Sequence, residues 1–159
     1  MDRKLDEKLV KAFPNLYGDR HANMRSTAMC WGFDCSSGWF PLIWDLSKKL
    51  EAIISAMPEE KRQYYRASQV KEKFGTLRFY MSGETEEMSA LIRVAENISA
   101  ITCEDCGMPG KSNDRGWVRT NCDKCRDSDQ GLGSKPIGLD WRIKLKLVFK
   151  HGWLPTTKE

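Results

Sequence analysis

Four cysteines fall in two close pairs, Cys103-Glu104-Asp105-Cys106 and Cys122-Asp123-Lys124-Cys125, with fifteen residues between the pairs. A C-x-x-C turn aims two thiolates at one ion, and two such turns supply the four soft ligands that tetrahedral Zn²⁺ takes. Four cysteine ligands close the coordination sphere and leave no position for a reactive water. The expected chemistry is therefore structural: one Zn²⁺ held by Cys103, Cys106, Cys122 and Cys125. Two disulfides or four free thiols are the competing readings. Disulfides are rare inside cells, and the cytoplasm is the expected location for this chain.

The other reactive groups are sparser. Asp19, Arg20 and His21 adjoin in the polar stretch 15–23, which reads as a solvated loop because no motif spacing supports more. Cys30 and Cys35 lack a second pair, with His21 the nearest further ligand; buried thiols are expected there rather than a second metal site. The chain has two histidines, His21 and His151, and no G-x-S-x-G, P-loop or H-E-x-x-H motif, so no enzyme is expected.

The elements that must position the cysteines follow from periodicity. Thr85 caps a helix whose apolar face is Met88, Leu91, Ile92, Ala95, Ile98 and Ile101; it runs straight into Cys103 and docks the first pair against the core. Gly107 closes the knuckle, Met108-Pro109-Gly110 begins a turn, and residues 117–120 form a short strand into the second pair. A helix continuing from Cys125 through Arg126 would make the unit treble-clef-like; without it the unit is a two-knuckle ribbon.

Earlier in the chain, residues 2–13 form a helix stopped by Pro14, and 25–33 a short strand. Ser36-Ser37-Gly38 and Pro41 start the best-defined helix, with Leu42, Ile43, Leu46, Leu50, Ile53, Ile54 and Met57 on its apolar face. A short polar helix or connector covers 59–66. Two antiparallel strands, 67–72 and 76–82, join at Lys73-Phe74-Gly75. Lys71, Lys73 and Arg78 could make a basic rim, but Glu72 interrupts it in sequence, and a solvated face is expected. The fold class is α+β: a small antiparallel sheet packed with two or three helices, plus a four-cysteine zinc-ribbon or treble-clef-like module. Residues 1–101 are the core domain, 102–130 the zinc module, and 131–159 a linker with a basic C-terminal strand.

The chain has 159 residues, 40% of them hydrophobic, and a net charge of +4. That excess sits in residues 135–159, where six basic groups face two acidic ones. Trp141, Ile143, Leu145, Leu147 and Phe149 alternate there with Arg142, Lys144 and Lys146, a half-buried strand with a basic outer face. The charged start, Met1 to Lys8, lacks the apolar region of a signal peptide, and no apolar run is long enough to span a membrane, so no membrane partner is expected.

Several stretches together carry a resemblance: Val70-Lys-Glu-Lys-Phe-Gly-Thr-Leu-Arg-Phe-Tyr80, Tyr17-Gly-Asp19, Cys30-x-Gly-Phe-x-Cys35, and the block from Cys103-x-x-Cys106 through Gly116-Trp117-x-Arg119-Thr120-x-Cys122. Over residues 15–126 the chain resembles small hypothetical proteins encoded by bacteriophages and prophages. The resemblance brings context rather than a mechanism. It implies an accessory protein that binds a host factor, as a host-takeover or counter-defence inhibitor or adaptor.

A host protein is thus the first expected partner, with Trp117 and Arg119 as candidate contacts, because Trp and Arg are favoured at interface hot spots. Nucleic acid is the alternative, through Arg142, Lys144 and Lys146 on the basic strand. A metal-dependent nuclease using His21 with Asp19 ranks behind both.

Overall fold

The computed structural model describes residues 1–113 and 118–128. Helix α1 (Arg3–Ala12) begins at Asp2, whose side chain accepts from the Lys4 N–H. A 3₁₀ turn (Ala28–Trp31) and a two-residue strand, β1 (Phe33–Asp34), occupy the stretch expected to be one strand. Gly32 breaks it: its φ is +81°, and the Asp6 carboxylate and Arg20 guanidinium pack where a Cβ would stand. A second 3₁₀ turn (Ser37–Trp39) precedes α2 (Phe40–Ser55), which carries Pro41 in its first turn. The Ser36 side chain makes no cap bond to the 3₁₀ turn that follows it.

One turn of helix, α3 (Glu59–Arg62), leads to β2 (Ala67–Lys73) and β3 (Thr76–Met81). Phe74 and Gly75 join the strands at φ +53° and +76°. Two left-handed residues in a two-residue loop give the type I′ turn that matches strand twist. Glycine adopts that backbone freely, whereas for phenylalanine it costs about 1–2 kcal/mol. Helix α4 (Glu86–Ser99) follows, its Thr85 cap accepting from the Met88 N–H.

The sheet order is β1-β2-β3, with β2–β3 antiparallel and β1–β2 parallel. It is therefore mixed rather than wholly antiparallel. Helix α4 packs along β3, α2 on α4, and α1 on α2. The inner face of the sheet, Val70, Leu77 and Phe79, joins Leu9, Tyr17, Met29, Trp39, Ile43, Leu50, Ile54 and Met88 in one buried apolar cluster. Strand β3 lies at the sheet edge, and α4 covers it. The Leu77 N–H donates to Ser99 Oγ at 2.8 Å and the Phe79 N–H to Glu96 Oε1 at 3.3 Å. Side chains of the helix thus satisfy donors that an open edge would present to solvent.

After α4 come a knuckle at 103–107, a two-residue hairpin of β4 (Lys111–Ser112) with β5 (Thr120–Asn121), and α5 (Asp123–Ser128). No helix among the described residues is long and apolar enough to cross a membrane.

Candidate metal centre

The knuckle is a tight turn closed by its own backbone. Gly107 N–H donates to the Cys103 carbonyl at 2.8 Å, and Cys103 N–H to the Met108 carbonyl at 2.7 Å. Gly107 has φ +73°, the left-handed conformation that such a turn requires. The β4–β5 hairpin then returns the chain so that Cys122 and Cys125 face the knuckle. Cys125 lies in the first turn of α5, where the Arg126 N–H reaches the Cys122 carbonyl at 3.0 Å.

The result is one cluster: the four Sγ atoms lie within 4.8 Å of one another, and Cys106 and Cys122 approach to 3.6 Å. Zn–S bonds of about 2.3 Å in a tetrahedron place neighbouring sulfurs at about 3.8 Å. A disulfide would need about 2.05 Å. The donor set and spacing therefore fit a tetrahedral metal ion. Cys103, Cys106 and Cys125 are buried and Cys122 is partly exposed.

Cys106 and Cys125 resist ionising, whereas Cys122 is shifted the other way. Burial pushes Cys106 up to about 11, only partly offset by the Met108 backbone N–H. Burial also raises Cys125, and hydrogen bonding to Cys106 and Cys122 adds to the shift. At Cys122 burial acts the same way, but hydrogen bonds from Cys125 and the neighbouring thiols outweigh it and the thiol is lowered. A divalent cation that binds all four sulfurs takes them as thiolates and releases their protons.

Polar groups stitch this unit to the core. Glu104 is only 4% exposed. Its Oε1 accepts the Ser36 N–H at 2.8 Å, and Arg119 Nε lies 3.7 Å from its Oε2. Burial raises the Glu104 pKa, and the Ser36 N–H and Arg119 oppose that shift. Trp39 Nε1 donates to the Thr102 carbonyl at 2.8 Å, Gly38 N–H to the Glu104 carbonyl at 2.7 Å, and Thr120 Oγ1 to the Gly75 carbonyl at 2.6 Å. Gly38 permits the approach, since a Cβ there would collide with the knuckle backbone.

The remaining candidates have other partners. Arg119 binds Asp105 at 3.1 Å as well as Glu104, holding knuckle and hairpin together. The stretch expected to be a solvated loop is instead tied down. Asp19 accepts from Arg66 at 2.7 Å, and Arg20 grips both Asp6 oxygens at 3.0 Å and the Cys30 carbonyl at 2.8 Å. His21 is exposed. Cys30 donates to the Thr27 carbonyl at 3.2 Å, and burial pushes the Cys35 thiol up to about 12, away from nucleophilic reactivity. Among the described residues the four-cysteine set is the only cluster with metal-ligand geometry; Cys30, Cys35 and His21 form none. Trp117, Arg142, Lys144 and Lys146 lie outside the described residues. Sequence reasoning missed Glu104 and Thr120, whose partners are remote in the chain. It also misjudged Glu72, which strand alternation places on the opposite face from Lys71 and Lys73.

The chain matches no protein-family model, no curated protein and no solved structure.

Proposed function

We propose that this is a zinc-stabilised binding protein without catalytic activity, its four cysteine thiolates holding one structural Zn²⁺ in a treble-clef-like unit of knuckle, hairpin and helix. The observation that carries the reading is the convergence of four sulfurs at the spacing of a zinc tetrahedron. A four-thiolate site has no open position for substrate, so its contribution is to hold structure. Metal analysis of the purified chain tests it. One zinc per chain is expected, lost together with folding of the unit in Cys106→Ser. A fully folded protein that takes up no metal would overturn the reading.

The proposed partner is a host protein, in line with the resemblance to phage-encoded proteins. Val94, Ile101 and Met108 support it: these apolar side chains are exposed on α4, just beyond its end, and on the knuckle. Exposed apolar groups beside a rigid element are the usual anchors of a protein interface. Ile101→Glu combined with Met108→Glu should abolish capture of that protein while leaving zinc content and melting temperature unchanged. Undiminished capture would remove this face from the interface.

A further inference from the structure

Strand pairing sorts the hairpin into two faces. Gln69 pairs with Tyr80, Lys71 with Arg78 and Lys73 with Thr76, and these residues point outward. Val70, Leu77 and Phe79 point into the core. Glu72 falls on the inner side, where its Oε1 accepts the Gly75 N–H. There it lines, with Glu104 and Arg119, a cleft of about 430 Å³. The carboxylate that interrupts the basic run in sequence is thus absent from the basic face in space.

Three further features mark this face. Three partly buried arginines elsewhere are matched with carboxylates: Arg20 with Asp6, Arg66 with Asp19, Arg119 with Glu104 and Asp105. Lys71, Lys73 and Arg78 form no ion pair among the described residues, although Asp34, beside Lys71 across the parallel pair, places a carboxylate at the margin. Next, two aromatic rings stand in solvent at the two ends of this row of cations: Phe74, in the turn, is 71% exposed and Tyr80, at the Gln69 pair, 41%. Each has a lysine ammonium over it, Lys73 at 5.6 Å from the Phe74 ring and Lys71 at 5.8 Å from that of Tyr80. Finally, Phe74 occupies a left-handed backbone position that glycine would fill without strain, and stays largely exposed there. Thr120 bonds the adjacent Gly75 carbonyl, so the cysteine unit holds this tip in place.

We propose that the outward face of the β2–β3 hairpin is a platform for single-stranded nucleic acid, on which Phe74 and Tyr80 stack bases while Lys71, Lys73 and Arg78 hold phosphates. Unneutralised cations select a polyanion. Projecting rings select one with unpaired bases, because a duplex keeps its base faces stacked inside. An acidic peptide would satisfy the cations and leave the rings in water. This goes beyond the protein-partner reading and does not depend on it.

The test uses the full zinc-loaded chain with fluorescent oligo-dT and oligo-rU, a duplex of equal length, and polyglutamate as competitor, across a salt series. Single strands should bind more tightly than duplex, and polyglutamate should compete poorly. Lys71→Ala with Lys73→Ala should lower the slope of log affinity against log salt by about 0.7 for each phosphate no longer neutralised. Phe74→Gly should weaken binding by roughly tenfold, the scale of a single base stacked on an aromatic ring. It should also leave the melting temperature unchanged or raise it, because the left-handed strain is relieved; that separates loss of the platform from loss of the fold. Absence of single-strand binding, a preference for duplex, or equal competition by polyglutamate would overturn the inference. So would variants that bind as wild type, which would move the binding surface elsewhere in the chain. None of these results touches the zinc content or the protein-partner reading.

Discussion

From Leu9 to Ala95 the helices and the three-stranded sheet feed one apolar cluster, with Trp39, Ile43, Leu50 and Leu77 fully inaccessible. From Thr102 to Cys125 the buried groups among the described residues are three cysteines, a glutamate, two threonines and an asparagine. Adjacent parts of one chain are therefore held by different physics. The first region gains stability from area removed from water, a non-directional force that tolerates adjustment. The described residues of the second bury few apolar side chains besides the cysteines and are joined by directional bonds with fixed geometry. A small unit of that kind folds only when something compensates the entropy of ordering it, and a metal ion bound by four thiolates can do so.

The sharpest way to break that contrast is to remove the proposed metal. Structural zinc contributes on the order of 10–16 kcal/mol of apparent binding energy in zinc-finger peptides near pH 7. Chelation, or Cys106→Ser, should therefore abolish amide-exchange protection across 103–125 while the helical signal of α2 and α4 survives. Acid should act the same way. Metal-bound thiolates have depressed pKa values, so the stability they confer is present above the free thiol range and is lost as falling pH protonates them. Protection in 103–125 that persists after chelation would show that the polar stitches suffice alone. The next largest effect lies in the other region. Leu50→Ala empties a fully buried site on α2 and should cost about 2–5 kcal/mol. It should lower the melting temperature without altering zinc stoichiometry; a variant that also lost zinc would join the two regions energetically.

The same division governs how far the sequence could be read. The apolar region is legible because its forces leave a period: α1, α2, α4 and the hairpin fall where the spacing of Leu, Ile, Val and Phe puts them. The cysteine pairs are legible because metal geometry imposes a spacing. What periodicity does not encode is which polar group meets which. Arg20 finds Asp6 fourteen residues away and Arg66 finds Asp19 at forty-seven, so their stretch looks solvated in sequence although it is pinned. The strand expected at 25–33 fails for a related reason. Thr27 caps a 3₁₀ turn over Ala28–Trp31, Gly32 takes a positive φ where the Asp6–Arg20 pair packs against its backbone, and only Phe33 and Asp34 are left to form a strand. Glu72 was legible in principle, because alternation alone turns it away from Lys71 and Lys73.

A smaller perturbation examines the seam. Thr120 Oγ1 donates to the Gly75 carbonyl across the boundary, and both partners are buried. Thr120→Val keeps the shape and leaves that carbonyl without its donor, at a cost of about 1–3 kcal/mol. If the seam is a true mechanical link, exchange of amides near Gly75 should quicken along with those of β5. If only β5 responds, the hairpin tip holds its conformation unaided.

The smallest effect should come from alkali, and it should fall on the opposite region from acid. Burial pushes Cys35 from 9.0 to about 12, and burial likewise raises Tyr17 despite its hydrogen bond with Ser47. Both are acids that the folded core keeps protonated. For Cys35 the folded-state pKa lies above the unfolded one, so its contribution is complete below pH 9.0 and declines as pH rises toward about 12. Wild-type stability should therefore sag over that window, whereas thiolates held by the proposed metal would be ionised already and add nothing to the decline. Cys35→Ala should make the decline shallower, leaving the Tyr17 part. In the native protein at neutral pH, Cys35 should also resist alkylation, since burial keeps the thiol protonated and leaves it only 7% exposed at the floor of the cleft. A Cys35 that alkylates readily in folded protein would mean that the core opens locally beside β1. The apolar region would then be the looser of the two, and the contrast between them would have to be reversed.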